Sequence, residues 1–184
     1  LIIALVVIAV IAIFAGSIVS SYNSLVDERE TVTNAQANIQ TMLQRRADLI
    51  PNLVNTVKGY AAHEEEVYTA IADARSKLSG ATTVDEMEKA NSELDSAISR
   101  LLVVVENYPE LKADTQFINL QDELAGSENR ISVARKDYND VAKAYNTHIK
   151  KFPANIIASM FNFEQAEYFE ASSEAQTVPS VNFD

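Results

Sequence analysis

Chemistry needs reactive side chains, and this chain offers few in usable patterns. It has two histidines, His63 and His148, and no cysteine. His63-Glu64 could open an HExxH metal-binding helix, but position 67 is Val, so the second imidazole on that helical face is missing. Without cysteine there is no disulfide framework and no thiolate metal site. Asp and Glu total 26, so some carboxylates must fall near each other, but pairing alone does not make a glycosidase. The four glycines are scattered and form no phosphate loop. No nucleophile elbow surrounds any serine. These residues predict no catalytic centre, no metal and no cofactor.

More informative is a set of polar residues on otherwise apolar helical faces. Arg45, Arg46, Asp48 and Asn52 fall in one amphipathic stretch. Glu106 and Asn107 stand before Pro109. Gln121, Glu128, Asn129, Arg130, Arg135, Asn139 and Asn146 fall in another stretch. Buried polar groups must find partners, and such pairs can fix helix register. Interlocking inside a bundle is the first reading of this set. A ligand or partner site built from the same groups is the second.

The elements that must position these residues are helices. Ile39, Leu43, Ala47, Ile50, Val54 and Val57 recur at helical spacing. Pro51 lies inside this stretch and predicts a bend near Ala47–Pro51 rather than an end. A turn follows from Gly59 through His63, and Glu64, Glu65 and Glu66 suit a helix N-terminus. That second helix is expected to run to about Leu78. Thr83-Val84-Asp85-Glu86 has the capping-box spacing and opens a third helix, which stops before Pro109. Asp114 or Thr115 can cap a fourth. In it Leu124, Ile131, Tyr138, Tyr145 and Phe152 sit seven apart, with Leu120, Ala134 and Val141 at the alternate position. This heptad seam fits one helix of an intramolecular bundle, or a coiled-coil dimer.

Before the first amphipathic stretch lies an uncharged run. Residues 1–26 hold no Asp, Glu, Lys or Arg, so the formal charge of −11 sits entirely beyond them. Leu1–Val19 contains six Ile, four Val, two Leu and one Phe. Membrane insertion of these thirteen residues is favourable by about 5 kcal/mol. With Ser20 and Ser21 the run spans about 30 Å of hydrocarbon, and Tyr22 falls where an interfacial aromatic belongs. A cleaved signal peptide is the competing reading, but the run exceeds the usual apolar core of about 7–15 residues. The chain starts at Leu rather than Met, so upstream residues carrying Lys or Arg are expected. With the acid-rich flank after the span, they would place the bundle outside the cytoplasm. A cytoplasmic bundle is the alternative. Ala12, Gly16 and Ser20, four apart, could let two spans approach closely.

The expected domains are a transmembrane anchor (1–21), a helical bundle (22–152), an amphipathic aromatic segment (153–170) and an extended tail (171–184). The fold class is all-α: an N-terminal transmembrane helix continuing into an antiparallel, up-down bundle of about four helices. In that order the last long helix returns toward the membrane, and the aromatic segment lies at the membrane-proximal end. The acidic balance argues against nucleic acid, which needs Lys and Arg contacts, and against a broad surface for anionic lipid.

The run Arg45-Arg46-Ala47-Asp48-Leu49-Ile50-Pro51-Asn52-Leu53-Val54, continuing through Thr56-Val57-Lys58-Gly59-Tyr60-Ala61 to His63-Glu64, resembles the signature of the LemA family. So do Glu106-Asn107-Tyr108-Pro109 with Leu111-Lys112-Ala113, and Leu120-Gln121 with Glu123-Leu124. Glu128-Asn129-Arg130-Ile131, Ala134-Arg135, Tyr138-Asn139, Tyr145-Asn146, Phe152-Pro153, and Pro179, Val181 and Phe183 complete the likeness. Ser127 stands where the family more often has Thr. The resemblance covers nearly the whole chain. It implies a bacterial protein with one membrane helix and a helical bundle, and it carries over no catalytic residue. Family genes often neighbour a membrane zinc protease, which makes a quality-control role conceivable by association.

The expectation is a non-enzymatic scaffold or adaptor in the bacterial cytoplasmic membrane. Its partners would be the lipid bilayer, further copies of itself and another membrane protein, with no nucleic acid. The alternative is a regulatory or sensing subunit of another membrane protein, such as that protease.

Overall fold

A computed structural model of the chain describes residues 2–170. Among these the secondary structure is helical throughout: α1 (Ile2–Lys58), α2 (Glu65–Gly80), α3 (Val84–Val105), α4 (Pro109–Lys112), α5 (Thr115–His148) and α6 (Ala154–Met160). The expected extended tail, 171–184, lies outside the described residues. Two compact units divide the described chain. One contains residues 2–37 and 136–168, the other residues 38–135 with Phe169 and Glu170.

The first unit holds the apolar half of α1, which is long and apolar enough to cross a membrane. The side chains of Ile2, Ile3, Leu5, Val6, Val7, Ile8, Ile11, Ile13, Phe14 and Val19 are exposed, Ile3 by 81% and Phe14 by 67%. A contiguous apolar surface of this kind marks a membrane or protein contact. Inward packing begins at Leu25 and Val32, seven apart. The unit also holds the second half of α5, where Tyr138, Ala142 and Tyr145 are buried, and Ile149 just beyond it, also buried. The aromatic segment lies beside the end of the apolar run, as an up-down order requires. The Tyr22 ring meets Phe161 edge-on at 4.8 Å and Phe163 at 5.8 Å.

The second unit is a helical core. On α1 the buried positions are Ile39, Leu43, Arg46, Ala47, Ile50, Leu53 and Val57. Leu53 fills the position the sequence suggested for Val54, because steps of three and four from Leu43 reach 46, 50, 53 and 57. α1 passes through Pro51 without ending. Proline has no N–H to give the carbonyl four residues back. That acceptor is Ala47 O, and Arg75 Nε on α2 donates to it at 3.0 Å. A side chain thus replaces the missing backbone donor.

α2 and α3 pack together across a short link, with Lys77 on Glu93 at 2.6 Å. The link is short because the capping box forms. Thr83 Oγ1 accepts from Glu86 N, and Glu86 Oε2 accepts from Thr82 N and Thr83 N. Those backbone donors, with the Thr82 hydroxyl, hold the Glu86 carboxyl at about 2. A depressed carboxylate contributes stability above its unfolded value, 4.5 here, and loses it as pH falls toward about 2. The start of α3 should therefore fray between those values in an NMR acid titration. Thr83→Ala should cost about 1 kcal/mol at neutral pH and move the Glu86 titration upward.

α4 went unforeseen: Pro109 does not merely stop α3 but opens a single turn of its own. Asp114 then caps α5, accepting from Phe117 N at 3.0 Å. That bond, with a second from the Tyr60 hydroxyl, lowers its carboxyl, and the same contact raises Tyr60. α5 ends at His148 rather than at Pro153. Phe152 consequently leaves the heptad seam and is 80% exposed, while Ile149, four after Tyr145, is buried instead.

Candidate functional site

In the second unit, spacing puts residue 46 on the buried stripe of α1, so the chain carries an arginine at a core position. Arg46 is only 4% exposed. Its Nη1 donates to Asn91 Oδ1 at 2.7 Å and to Glu128 Oε2 at 2.6 Å. Its Nη2 donates to Asp95 Oδ1 at 2.5 Å. Asn91 Nδ2 closes the set by donating to Asp95 Oδ2 at 3.0 Å. One guanidinium therefore joins α1, α3 and α5. Only its Nε lacks an acceptor.

The electrostatics fit a clamp. A buried cation needs paired anions, and two carboxylates supply them. Their side chains are 44% and 38% exposed, so they stay hydrated while reaching inward. Arginine does not give up its proton, and no hydroxyl or imidazole joins the group. Next to Glu128, the buried Ser127 hydroxyl donates to its own helix at Leu124 O, 2.7 Å away. The arrangement ties three helices together, with one oxygen of each carboxylate held on the guanidinium.

Of the sequence-selected set, the structure brings Arg46 and Glu128 together. Arg45, Asn52, Asn107, Asn129 and Arg130 are exposed. Asp48 is also exposed and accepts from Gln44 at 2.9 Å. Glu106 pairs with Lys112 at 2.5 Å on the surface. Gln121 and Asn139 are half-buried. Arg135 sets its guanidinium 5.5 Å from the Phe169 ring centre, with Nε and Nη2 buried and without an acceptor. Sequence reasoning missed Asn91 and Asp95. Asn91 had a signal, since it interrupts the stripe Met87, Ala90, Leu94, Ala97 and Ile98.

In the first unit, side chains of α5 hold the segment after α6. Asn146 acts as a peptide mimic: Nδ2 donates to Ala166 O and Oδ1 accepts from Ala166 N, both at 2.8 Å. The Tyr138 hydroxyl donates to Glu167 O at 2.9 Å. Burial, then the neighbouring Glu167, raises the Tyr138 hydroxyl above its ordinary value. His148 is half-buried with Nδ1 2.8 Å from Glu28 Oε1. His63 is exposed. The Ala12, Gly16 and Ser20 face is open, and a Cβ at Gly16 would meet nothing within 4 Å. A shallow groove of about 750 Å³ includes Gly16 and Ser20 but not Ala12, and continues past Asn23 to Asp27.

The chain is similar in sequence to several named proteins. Magnetosome protein MamQ 2 of Paramagnetospirillum magneticum is 28% identical over 95% of this chain and 74% of its own length. Protein LemA of Metamycoplasma hominis is 29% identical over 88% of this chain and 74% of its own. MamQ of Magnetospirillum gryphiswaldense is 25% identical over 89% and 70%. The sequence model of the LemA family matches residues 35–183, which includes Arg46 with all three of its partners, so this chain belongs to the LemA family.

Proposed function

We propose that this protein is a non-enzymatic, membrane-anchored scaffold that self-associates in the bacterial cytoplasmic membrane, with its bundle outside the cytoplasm. The observation that carries the reading is the form of α1. One unbroken helix begins with an exposed apolar surface and ends in a core whose buried charge is closed by the chain's own residues. The polar constellation is used internally, which supports an architectural role over catalysis. Relatives as differently named as a magnetosome protein and protein LemA share most of their length with this chain, which also favours architecture over a specific reaction. Self-association is supported by the open Ala12, Gly16 and Ser20 face, where small residues permit close helix approach.

Cross-linking with mass spectrometry on intact membranes tests the proposal. Copies should cross-link to one another in a repeating pattern, and Gly16→Leu should weaken that pattern by blocking close approach. If cross-links run chiefly to one different membrane protein, a regulatory subunit of that protein replaces the scaffold.

A further inference from the structure

The C-terminal end of the first unit has a composition unlike the rest of the chain. Residues 141–163 contain Lys143, Lys150 and Lys151 and no Asp or Glu, a local charge of +3 within a protein of −11. The same stretch is apolar on two sides. α6 turns Ala154, Ile157 and Ala158 inward. Its outward face, with the flanking residues, shows Phe152 at 80% exposure, Met160 at 67%, Phe161 at 50% and Ile156 at 48%. Single exposed apolar side chains need no explanation. Apart from the exposed Asn155 and Ser159, α6 is apolar on its outward as well as its inward face, and a cluster of exposed apolar side chains between aromatics marks a contact surface.

From this we infer that segment 150–161 is a second membrane contact, a foot that rests on the anionic surface of the same bilayer α1 crosses. The inference builds on the reading of α1 as a span. Position is the first argument. Residues 2–21 of α1 measure about 30 Å, one hydrocarbon thickness, and Tyr22 follows them directly. Tyr22 packs on Phe161 and Phe163, so the foot sits at the level where α1 leaves the lipid. Chemistry is the second argument. Ile156 and Met160, four apart, share one face of α6, and Phe152 and Phe161 flank it. An apolar face with adjacent lysines is the pattern of a helix lying in the interface. Exposed Lys150 and Lys151 can reach headgroup phosphates while their stems lie along the apolar surface. Lys143 and Lys151 also line one groove of about 390 Å³, together with Thr147, His148 and Asp140. A second copy of this acidic chain would suit the lysines but not the level of the patch beside the span.

The chain has no tryptophan, so a single introduced one reports its own surroundings. Full-length Phe152→Trp and Met160→Trp proteins would be placed in phosphatidylcholine vesicles, with or without phosphatidylglycerol, carrying bromine at shallow or deep acyl positions. Phe14→Trp reports the span, and Val133→Trp reports an exposed position of the second unit. Circular dichroism would confirm that each variant keeps its helix content. Phe152→Trp and Met160→Trp should emit at shorter wavelength and lose intensity to shallow bromines, more so with phosphatidylglycerol. Val133→Trp should not. Lys150→Glu with Lys151→Glu should abolish the phosphatidylglycerol increment, and an unchanged increment would overturn the headgroup contact. If Phe14→Trp is quenched by deep bromines while both foot positions stay unquenched at water-like wavelengths, the foot is overturned and the span stands. A shorter wavelength without bromine quenching means protein covers the patch, and also overturns it. If Phe14→Trp itself escapes quenching, the anchor reading fails and the foot with it.

Discussion

Replacing Arg46 by methionine is expected to lower the unfolding free energy of the second unit by about 3–5 kcal/mol, the scale for removing one partner of a buried ion pair. Methionine matches the length of the arginine stem, so little packing is lost. The loss comes from what remains. Asn91, 2% exposed, is left with an amide oxygen facing apolar surroundings. Asp95 and Glu128, both within 2.6 Å of the guanidinium, then face each other without the cation. Single changes to the acceptors should be milder. Asp95→Asn and Glu128→Gln keep an oxygen in place and give up only charge assistance, about 1 kcal/mol each. Replacing all four polar residues by apolar ones of similar volume should recover much of the stability, because no uncompensated group is left. Denaturant midpoints followed by helical circular dichroism on the full chain in detergent give the ranking. A methionine variant as stable as the parent would mean that Arg46 does not hold the helices. If it were also folded but altered in its cross-linking pattern, the cluster would belong to a partner site instead.

The parts of this fold that could be read from the sequence are those whose causes are local. The capping box at Thr83 and Glu86 needs residues three apart, and it forms. The uncharged stretch before Asp27 sets the apolar half of α1, and the stripe from Ile39 to Val57 sets its buried half. Asp114 caps α5 because a carboxylate there can reach an N–H three residues on. The Arg46 cluster was half legible. Arg46 and Glu128 stood out as charges on apolar faces, but which carboxylate meets which cation depends on how α1, α3 and α5 pack. Asn91 and Asp95 join only through that packing, 45 and 49 residues from Arg46. The C-terminal end of α5 was misplaced for a related reason. A heptad count continues through Phe152 by arithmetic, whereas the helix stops at His148 and hands its last core position to Ile149.

Arg75 carries the second large expectation. Arg75→Leu should cost about 1–3 kcal/mol, the penalty for leaving a buried acceptor unmade, and the acceptor in question exists only because of Pro51. Any other residue at position 51 would donate its N–H to Ala47 O, as helix geometry requires. Proline withholds it, and Arg75 Nε fills the gap at 3.0 Å. The two positions should therefore be coupled. In a Pro51→Ala background the backbone donor returns, so Arg75→Leu should cost markedly less, and Pro51→Ala alone should raise stability by removing an interior proline. A double-mutant cycle reads the coupling directly, with about 1 kcal/mol or more expected for groups in contact. Equal costs in both backgrounds would mean that Arg75 stabilises through its stem packing and not through the proline's orphaned carbonyl. A positive coupling has a structural consequence. α1 can keep a proline within the same ten-residue stretch as Arg46 and remain one helix, because α2 supplies the donor that its own backbone lacks. The segment 45–54, the longest run of likeness to the family, then holds two interlocked devices. One is a cation that draws α3 and α5 to α1, and the other is a carbonyl that draws α2.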